Sequence, residues 1–444
     1  MRELPLGWDH SRVSDLISAD GIFVDGDWVE TKDQDPDGEV RLVQLADVGD
    51  GAFLDRSSRF LTATKAVGLG CTMLKEGDIL IARMPHPLGR ACIFPGSPSE
   101  CVTVVDVCIV RPGRIGPDPR WLMYTINAPQ MRLAVAALQS GSTRQRISRT
   151  NLAGIPIHVP PIPEQHRIVA EIERQFSDLE AAIRSTSAAA GRTAPLRSAI
   201  LEDIFRRSEY SLVPLGTLIS SGPQNGLYKP SEAYGTGTPI IRIDDFQDEF
   251  LRDRSELRTL ALESDELSSY GLHCGDLVIN RVNSMTHLGK CFVVPEGIGP
   301  AVFESNMMRL SLTPEVMPGW VALYLQSPSG RRRLIQNAKQ AVNQASINQK
   351  DVCSTPVPVP QFVQEQARQL QRLETQLDFV RECRTACNQA LARAARLRQA
   401  ILKKAFEGKL VPQDPNDEPA AVLLERIRST RAHTPATRQR KVRT

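Results

Sequence analysis

The chain has 444 residues, of which 41% are hydrophobic, so it is long enough for two to four domains and apolar enough to bury their cores. Its formal net charge of +3 neither indicates nor excludes a nucleic-acid partner. The sequence has no apolar run of about 18 residues and no secretory signal pattern, so we expect a cytoplasmic protein that does not enter a membrane.

The first half of the chain predicts a globular domain followed by a long helix. Residues 1–162 are rich in Gly and Pro and contain β-branched runs such as "GDILIAR" and "CVTVVDVCIV", which are typical of strands in a mixed α/β domain. Over residues 163–207 glycine becomes rare and Ala, Leu, Arg and Glu dominate, which predicts a helix. Because Gly191 and Pro195 lie inside this segment, we expect a kink or break there.

The second half repeats the first in the same order. "PLG", "GDILIAR", "LGRACIFP" and "LRSAIL" return as "PLG", "GDLVINR", "LGKCFVVP" and "LRQAIL", at offsets of 198 to 209 residues. The chain is therefore a tandem duplication, with a second globular domain predicted over 208–361 and a second helix over 362–408.

The two predicted helices share one heptad phase. Leu370 and Leu373 occupy a and d positions of the second helix, and Val169 and Ile172, 201 residues earlier, fall in the same phase. We expect the helices to pair as a coiled coil; the alternative is that each stripe packs only on its own domain. A helix of about 44 residues would be a rod of roughly 66 Å, long enough to separate two domains by a fixed distance.

The C-terminal part contains two further segments. Over residues 409–430, Pro and Asp end the helix before a short amphipathic stretch, which we expect to close back onto the N-terminal domain. Residues 431–444 form a basic tail that we expect to be disordered, with non-specific DNA contact as the alternative.

Motifs for catalysis and metal binding are missing from the sequence. The [DNS]-P-P-[FYW] site of adenine methyltransferases, the Walker A loop, H-E-x-x-H and G-x-S-x-G do not occur. The nine cysteines are irregularly spaced, and although Cys383 and Cys387 share a helix face, no histidine lies near them in sequence. We therefore expect no catalytic centre, no metal and no cofactor in this chain.

Several stretches resemble one family. "LRQAILKKAFEGKLVPQDPNDEPAAVLLERI" is similar to the C-terminal signature of the specificity subunits of type I restriction–modification enzymes, and "VPPIPEQHRIVAEIE" matches the entry into their central spacer helix. "LPLGW" and "GSTRQRIS" also fit. The resemblance implies an α+β fold in which two mixed α/β target-recognition domains are separated by two long antiparallel coiled-coil spacer helices, as a pseudo-twofold tandem duplication.

The resemblance also implies a function and partners. The chain would be a non-catalytic subunit that reads a bipartite, asymmetric target in double-stranded DNA. Two methyltransferase subunits, which bind S-adenosylmethionine and methylate adenine N6, would dock on the spacer helices, and restriction–translocase subunits would join for cleavage. The alternatives are the specificity subunit of another multi-subunit methylation–defence system, a fused or degenerate methyltransferase–nuclease, and a scaffold without a DNA role.

Candidate DNA contacts come from loops that carry side chains able to bond base edges or phosphates. Two loop pairs occupy equivalent places in the repeat, and a further loop follows Asn225; ordinary polar turns are the alternative. The candidates are Arg83, His86, Arg90, Ser142, Thr143, Arg144, Gln145 and Arg146 in the first domain, and Asn225, Tyr228, Lys229, Arg281, Asn283, His287, Lys290, Asn343, Gln344, Asn348 and Lys350 in the second.

Overall fold

The chain forms two compact units in a computed structural model that describes residues 4–141, 145–206, 209–247, 250–342 and 344–433. Unit 1 comprises residues 1–185 and 390–444, and unit 2 comprises residues 186–389. Unit 1 is therefore assembled from both ends of the chain, and each unit contains parts of both long helices.

The globular part of unit 1 is a mixture of short strands and short helices. Its strands are β1 (Asp9–Arg12), β2 (Ile22–Asp25), β3 (Val40–Val43), β4 (Phe60–Leu61), β5 (Ile79–Ala82), β6 (Ala91–Ile93), β7 (Cys101–Thr103), β8 (Val107–Arg111) and β9 (Pro156–Val159). Its helices are α1 (Ala63–Gly68), α2 (Pro119–Asn127), α3 (Pro129–Ala137) and α4 (Arg149–Ala153), and the long helix α5 (Ile162–Phe205) follows.

The globular part of unit 2 has the same kinds of element. Its strands are β10 (Ser211–Pro214), β11 (Ile219–Asn225), β12 (Tyr234–Ile241), β13 (Phe246–Gln247), β14 (Phe250–Leu251), β15 (Arg258–Leu260), β16 (Leu277–Asn280), β17 (Val282–Asn283), β18 (Cys291–Val293), β19 (Val302–Phe303), β20 (Met307–Leu312), β21 (Lys339–Ala341), β22 (Gln344–Ser346) and β23 (Pro356–Val359). Its helices are α6 (Ser264–Tyr270), α7 (Pro318–Gln326), α8 (Pro328–Ile335) and α9 (Gln349–Ser354), followed by α10 (Val363–Phe406) and, in unit 1, α11 (Ala420–His433).

Sheet topology confirms the duplication. The main sheet has the order β2-β8-β5-β6 in unit 1 and β11-β20-β16-β18 in unit 2. A second sheet has the order β4-β3-β7 in unit 1 and β15-β12-β19 in unit 2, and in each its first two strands are antiparallel and its last two parallel. The pair β1–β9 likewise has its counterpart in β10–β23. The two halves therefore share one topology although their sequences have diverged.

The repeated "GD" dipeptide starts the central strand of each main sheet. Gly77 and Gly275 have φ values of 85° and 87°, a backbone conformation that glycine adopts without steric cost. The carboxylates of Asp78 and Asp276 each accept a hydrogen bond from the amide three residues earlier, at 2.8 and 2.9 Å. The chain can thus turn directly into β5 and β16, whose residues are all buried.

The two long helices pair as the shared heptad phase predicts. Each has 44 residues. In both units the core contains the beginning of one helix and the end of the other, which is the arrangement of antiparallel helices. The buried residues are Ile168, Val169, Ile172 and Phe176 with Ile401, Leu402, Ala405 and Phe406 in unit 1, and Leu201, Ile204 and Phe205 with Leu370, Leu373 and Leu377 in unit 2.

Arginines occupy two equivalent a positions of the helices, and each contacts the globular part of its own unit. Arg398 lies over the Phe176 ring, 4.3 Å from its centroid, and donates a hydrogen bond of 3.3 Å to the carbonyl of Asp50. Arg197 donates to the side-chain oxygen of Gln326. These charged residues interrupt the apolar stripe where the helix meets the recognition domain.

Of the expected kink or break in the first helix, a break is wrong, because α5 continues through Pro195. Proline removes one hydrogen bond and crowds the carbonyl four residues earlier, which here belongs to Gly191. Gly191 is exposed, and apart from its chain neighbours and the nearby backbone of α5 itself no atom lies within 4 Å of the place where a Cβ would be, so water can reach this part of the helix. Thr193 is buried, and its hydroxyl donates a hydrogen bond of 2.8 Å to the carbonyl of Ala190. Leu201 lies in the core of unit 2. The free energy gained by packing these buried residues therefore outweighs the free energy lost by placing a proline inside the helix.

The segment after α10 packs on the N-terminal residues of unit 1. Leu423, Leu424 and Ile427 of α11 are buried in the same core as Trp8 and Leu16. The amide of Ala420 donates 2.9 Å to the carbonyl of Gly7, and Arg167 forms an ion pair of 2.6 Å with Asp417.

Neither a spanning helix nor a metal cluster occurs in the ranges that the structure describes. None of the helices in those ranges is both long and apolar enough to cross a membrane. No group of three or more His, Cys, Asp and Glu side chains in the same ranges could hold a metal ion.

Candidate nucleic-acid interface

In unit 1 the two predicted recognition loops are neighbours. The 83–90 loop connects β5 to β6 and is closed by a bond of 2.9 Å from the amide of Gly89 to the carbonyl of Ala82. The 140–146 loop is closed by Ser140 and Arg146, whose backbones exchange two hydrogen bonds of 2.9 Å. The amide of Ile147 donates 3.1 Å to the carbonyl of Arg83 and so joins the two loops.

Two of the predicted arginines of unit 1 hold these loops in place. The Nη1 atom of Arg83 lies 2.7 Å from Oδ1 of Asp25, and its Nε donates 3.0 Å to the carbonyl of Ile147. Arg90 is 7% exposed and donates to the carbonyls of Val48 and Leu45 at 2.5 and 2.8 Å. Both guanidinium groups therefore form hydrogen bonds within the protein that connect the loops to the rest of the domain.

The exposed candidates of unit 1 are His86, Gln145 and Arg146. The backbone of Arg146 is fixed by the pairing with Ser140, whereas its side chain is exposed. Ser142, Thr143 and Arg144 lie outside the described residues.

In unit 2 the equivalent loops form one small sheet. β21 and β22 form a hairpin, and β22 also pairs with β17, which belongs to the 281–290 loop. The amide of Ile347 donates 2.9 Å to the carbonyl of Arg281, just as Ile147 does to Arg83. The same backbone bond therefore joins the loop pair in both units.

Some predicted residues of unit 2 also have structural roles. The Nη1 atom of Arg281 donates 3.1 Å to the carbonyl of Ser305. Asn348 is the N-cap of α9, where its side chain accepts 3.0 Å from the amide of Asp351 and its own amide donates to the Asp351 carboxylate. The Nδ1 atom of His287 lies 2.9 Å from the hydroxyl of Thr286.

The accessible candidates of unit 2 lie on both loops. His287, Gln344, Asn348 and Lys350 are exposed, and Asn283 and Lys290 are half-buried. Asn343 lies outside the described residues.

The loop after β11 presents a third set of side chains. Asn225 is exposed at the end of the strand, and the ring of Tyr228 is 79% exposed. The Nζ atom of Lys229 lies 2.5 Å from Oε1 of Glu266 on α6, and this hydrogen bond raises the pKa of Lys229 above its usual value.

Residue-by-residue reasoning missed the counterpart of this loop in unit 1. Trp28 lies 200 positions before Tyr228 and is 70% exposed. It lines a cleft of about 840 Å³ together with Met84 and Arg146 from the two recognition loops. The internal repeat could have revealed it, because Gly26 and Gly226 precede the two rings at the same spacing.

Comparison with known proteins identifies the family. A family model described as the type I restriction modification DNA specificity domain matches residues 5–186. The type I restriction enzyme EcoKI specificity subunit of Escherichia coli (strain K12) is 30% identical over 362 residues, which cover 76% of each chain. The StySPI specificity subunit of Salmonella potsdam is 27% identical, again with 76% of each chain covered.

Solved structures agree on the fold. A chain from a study of complex assembly and conformational transition in a type I R-M system aligns with 92% of this chain and 100% of its own length, with a TM-score of 0.72 and 19% identity. The HsdS subunit from Thermoanaerobacter tengcongensis covers 92% of this chain and 99% of its own length, with a TM-score of 0.51 and 19% identity. With its duplicated topology, its two long helices and these relatives, the chain belongs to the family of type I restriction–modification specificity subunits.

Proposed function

We propose that this chain is the DNA-recognition subunit of a type I restriction–modification complex and catalyses no reaction itself. Each unit binds one half of a bipartite, asymmetric duplex target. The observation that carries the proposal is the pair of loops that recurs at equivalent places, joined by the same backbone bond in each unit. Because the exposed side chains of the loops differ, the two half-sites differ in sequence.

The accessible side chains divide into two classes of contact. Arg146 and Gln344 can form bidentate hydrogen bonds, Arg with guanine and Gln with adenine, and so can read base edges. Lys290 and Lys350 are single positive charges suited to phosphates, which set position without sequence preference. Arg83, Arg90, Arg281 and Asn348 act indirectly by holding the loops in shape.

The proposal includes partner subunits that perform the chemistry. Two methyltransferase subunits, carrying S-adenosylmethionine, dock on the exposed faces of α5 and α10 and methylate adenine N6, and restriction–translocase subunits join them. In the cytoplasm the complex methylates host DNA and cleaves DNA that lacks this modification. The chain itself requires no cofactor.

Mapping N6-methyladenine across the host genome tests the recognition function. In the presence of the chain and its methyltransferase partner we expect a methylated motif made of two different short DNA sequences at a fixed spacing. Deletion of the gene for this chain should remove that motif, and expression of the chain should restore it. A methylation pattern that is identical with and without the chain would contradict the proposal.

The mass of the complex tests the stoichiometry. Two paired helices in a duplicated chain offer two similar faces, so we expect one copy of this chain with two methyltransferase subunits. Native mass spectrometry of the co-expressed proteins measures the ratio directly. A final complex with one methyltransferase subunit would contradict this part of the proposal.

A further inference from the structure

Two large aromatic side chains are exposed at equivalent positions of the repeat. Trp28 is 70% exposed and Tyr228 is 79% exposed, whereas the other tryptophans, Trp8, Trp121 and Trp320, are at most 7% exposed. Indole and phenol rings are usually buried because of their large apolar area, and an exposed ring on a binding surface is often a contact residue. The recurrence of an exposed ring in both halves indicates a shared role.

The backbone holds both rings in the same way. Gly26 and Gly226 pass so close to a neighbouring strand end that a Cβ would lie 2.2 Å from the carbonyl oxygen of Val104 or Glu304, respectively. The next residue of each loop donates its amide to a carbonyl of that segment, at 2.8 Å in unit 1 and 2.9 Å in unit 2. Each ring therefore projects from a fixed backbone, so little conformational entropy is lost when it binds a ligand.

An ion pair connects each loop to a helix of the same unit. In unit 1, Lys65 on α1 lies 3.1 Å from the Asp33 carboxylate. In unit 2, Lys229 lies 2.5 Å from Glu266 on α6. The lysine lies on the helix in unit 1 and on the loop in unit 2, but an ion pair between loop and helix occurs in both units. These loops are held by contacts within their own unit, while their rings remain exposed.

Both rings lie beside the recognition loops. In unit 1, Trp28 shares its cleft with Met84 and Arg146. In unit 2, the amide of Ser305 donates a hydrogen bond of 2.9 Å to the carbonyl of Leu227, next to Tyr228, and Arg281 of the 281–290 loop donates one of 3.1 Å to the carbonyl of the same Ser305.

The cleft around Trp28 contains charged groups of both signs. The acidic residues Asp27, Glu30 and Asp106 line it together with Arg90 and Arg146. Glu30 accepts a hydrogen bond of 3.1 Å from the indole Nε1 of Trp28, which orients the ring. Glu30 also forms an ion pair of 2.7 Å with Lys32. An oriented ring with its face exposed suits van der Waals contact with deoxyribose and base edges.

We propose that Trp28 and Tyr228 are equivalent DNA contacts, one for each half-site, whose rings pack against sugars and base edges of the bound duplex. This inference rests on the proposed recognition function. It assigns Trp28 to the interface of the first half-site and gives Tyr228 the matching role in the second.

Substitution of the rings provides a first test, with the full chain in complex with its methyltransferase subunits and a duplex containing the target. Trp28→Ala and Tyr228→Ala should each weaken binding by about 5- to 150-fold, taking as the measure the loss of one base stacked on an aromatic side chain in single-stranded complexes. Trp28→Phe retains a ring and should recover most of the affinity. Leu6→Ala, which removes a side chain that is 61% exposed, should leave affinity unchanged. Unchanged affinity in both alanine variants would overturn the inference.

Fluorescence gives a second readout that does not depend on affinity. Because Trp28 is the one exposed tryptophan among the four, the difference between the wild-type and Trp28→Phe complexes reports its access to acrylamide. Binding of the target should protect Trp28, and altering only the first half-site should abolish that protection. Tyr228→Trp combined with Trp28→Phe should show the same dependence on the second half-site.

The outcomes separate the inference from the function on which it rests. If the wild-type complex does not bind a specific duplex, the proposed function fails. If it binds while Trp28 remains equally accessible, the inference alone fails. Protection that appears when the methyltransferase subunits bind, before DNA is added, would place the ring in a protein interface and would also overturn the inference.

Discussion

Leu424→Ala should destabilise unit 1 and leave unit 2 unaffected. Leu424 lies on α11 and is 2% exposed in the core of unit 1, far in sequence from the strands that it covers. If α11 is an integral part of that core, the loss of one of its buried side chains must lower the stability of the N-terminal recognition domain. The perturbation is thus made near one end of the chain and read out near the other.

The expected magnitude follows from the burial of the side chain. Replacing a buried leucine by alanine lowers the stability by the transfer free energy of the lost atoms and by the free energy of the cavity that remains, together about 2–5 kcal/mol. Taking about 3 kcal/mol, amides of unit 1 that exchange by unfolding should exchange roughly 100-fold faster, since each 1.4 kcal/mol corresponds to about a factor of ten.

Hydrogen–deuterium exchange resolved by mass spectrometry measures the effect in both units at once. Helix α2, which contains the fully buried Trp121, reports unit 1, and α7, which contains Trp320, reports unit 2. Val422→Ala is the matched control, because Val422 lies on the same helix and is 38% exposed, so its loss should change stability by less than about 0.5 kcal/mol. Equal acceleration in α2 and α7, or none in α2, would refute the reasoning.

Three further substitutions test other parts of the structure. Arg146→Ala should cost about 1–3 kcal/mol of binding free energy and relax the preference at one base pair. Lys350→Ala should instead weaken the binding of all DNA sequences alike and reduce the slope of log affinity against log salt concentration by about one unit. Identical behaviour of the two variants in salt titrations would contradict the division of contacts. Asp47→Asn should destabilise unit 1 by about 2–4 kcal/mol, because the buried carboxylate accepts hydrogen bonds from the amides of Arg56 and Ser57. Burial by itself would raise the pKa of Asp47, but its hydrogen bonds lower the pKa below the usual 3.8, so this stabilisation is present above pH 3.8 and is lost as the pH falls through the lower pKa of the folded state. Urea titrations should show that the difference in unfolding free energy between wild type and Asp47→Asn becomes smaller in that acidic range. A difference that does not depend on pH would contradict this assignment. Pro195→Ala should stabilise α5 by up to about 3 kcal/mol in thermal unfolding, and destabilisation would mean that the helix requires the proline.

Residue type alone does not predict which arginine and asparagine side chains form hydrogen bonds within the protein. Arg90 has the donor group that reads guanine, yet four carbonyl groups of its own domain accept its hydrogen bonds. Asn348 has the amide that reads adenine, yet it caps α9. Whether such a group is already bonded within the protein depends on backbone carbonyls and amides that are distant in sequence or belong to a later helix.

The sequence by itself determined the duplication, the two long helices and their shared stripe. Helical periodicity and repeated motifs are local signals, and the same residues of both copies, such as Val169 and Leu370, are buried as their heptad positions predict. Tertiary structure alone decided that α5 continues through Pro195, since buried residues beyond the proline hold the helix against a local cost. It also decided that Trp28 is exposed beside Arg146, because that placement depends on close packing of Gly26 against a strand end some 80 residues later in the chain.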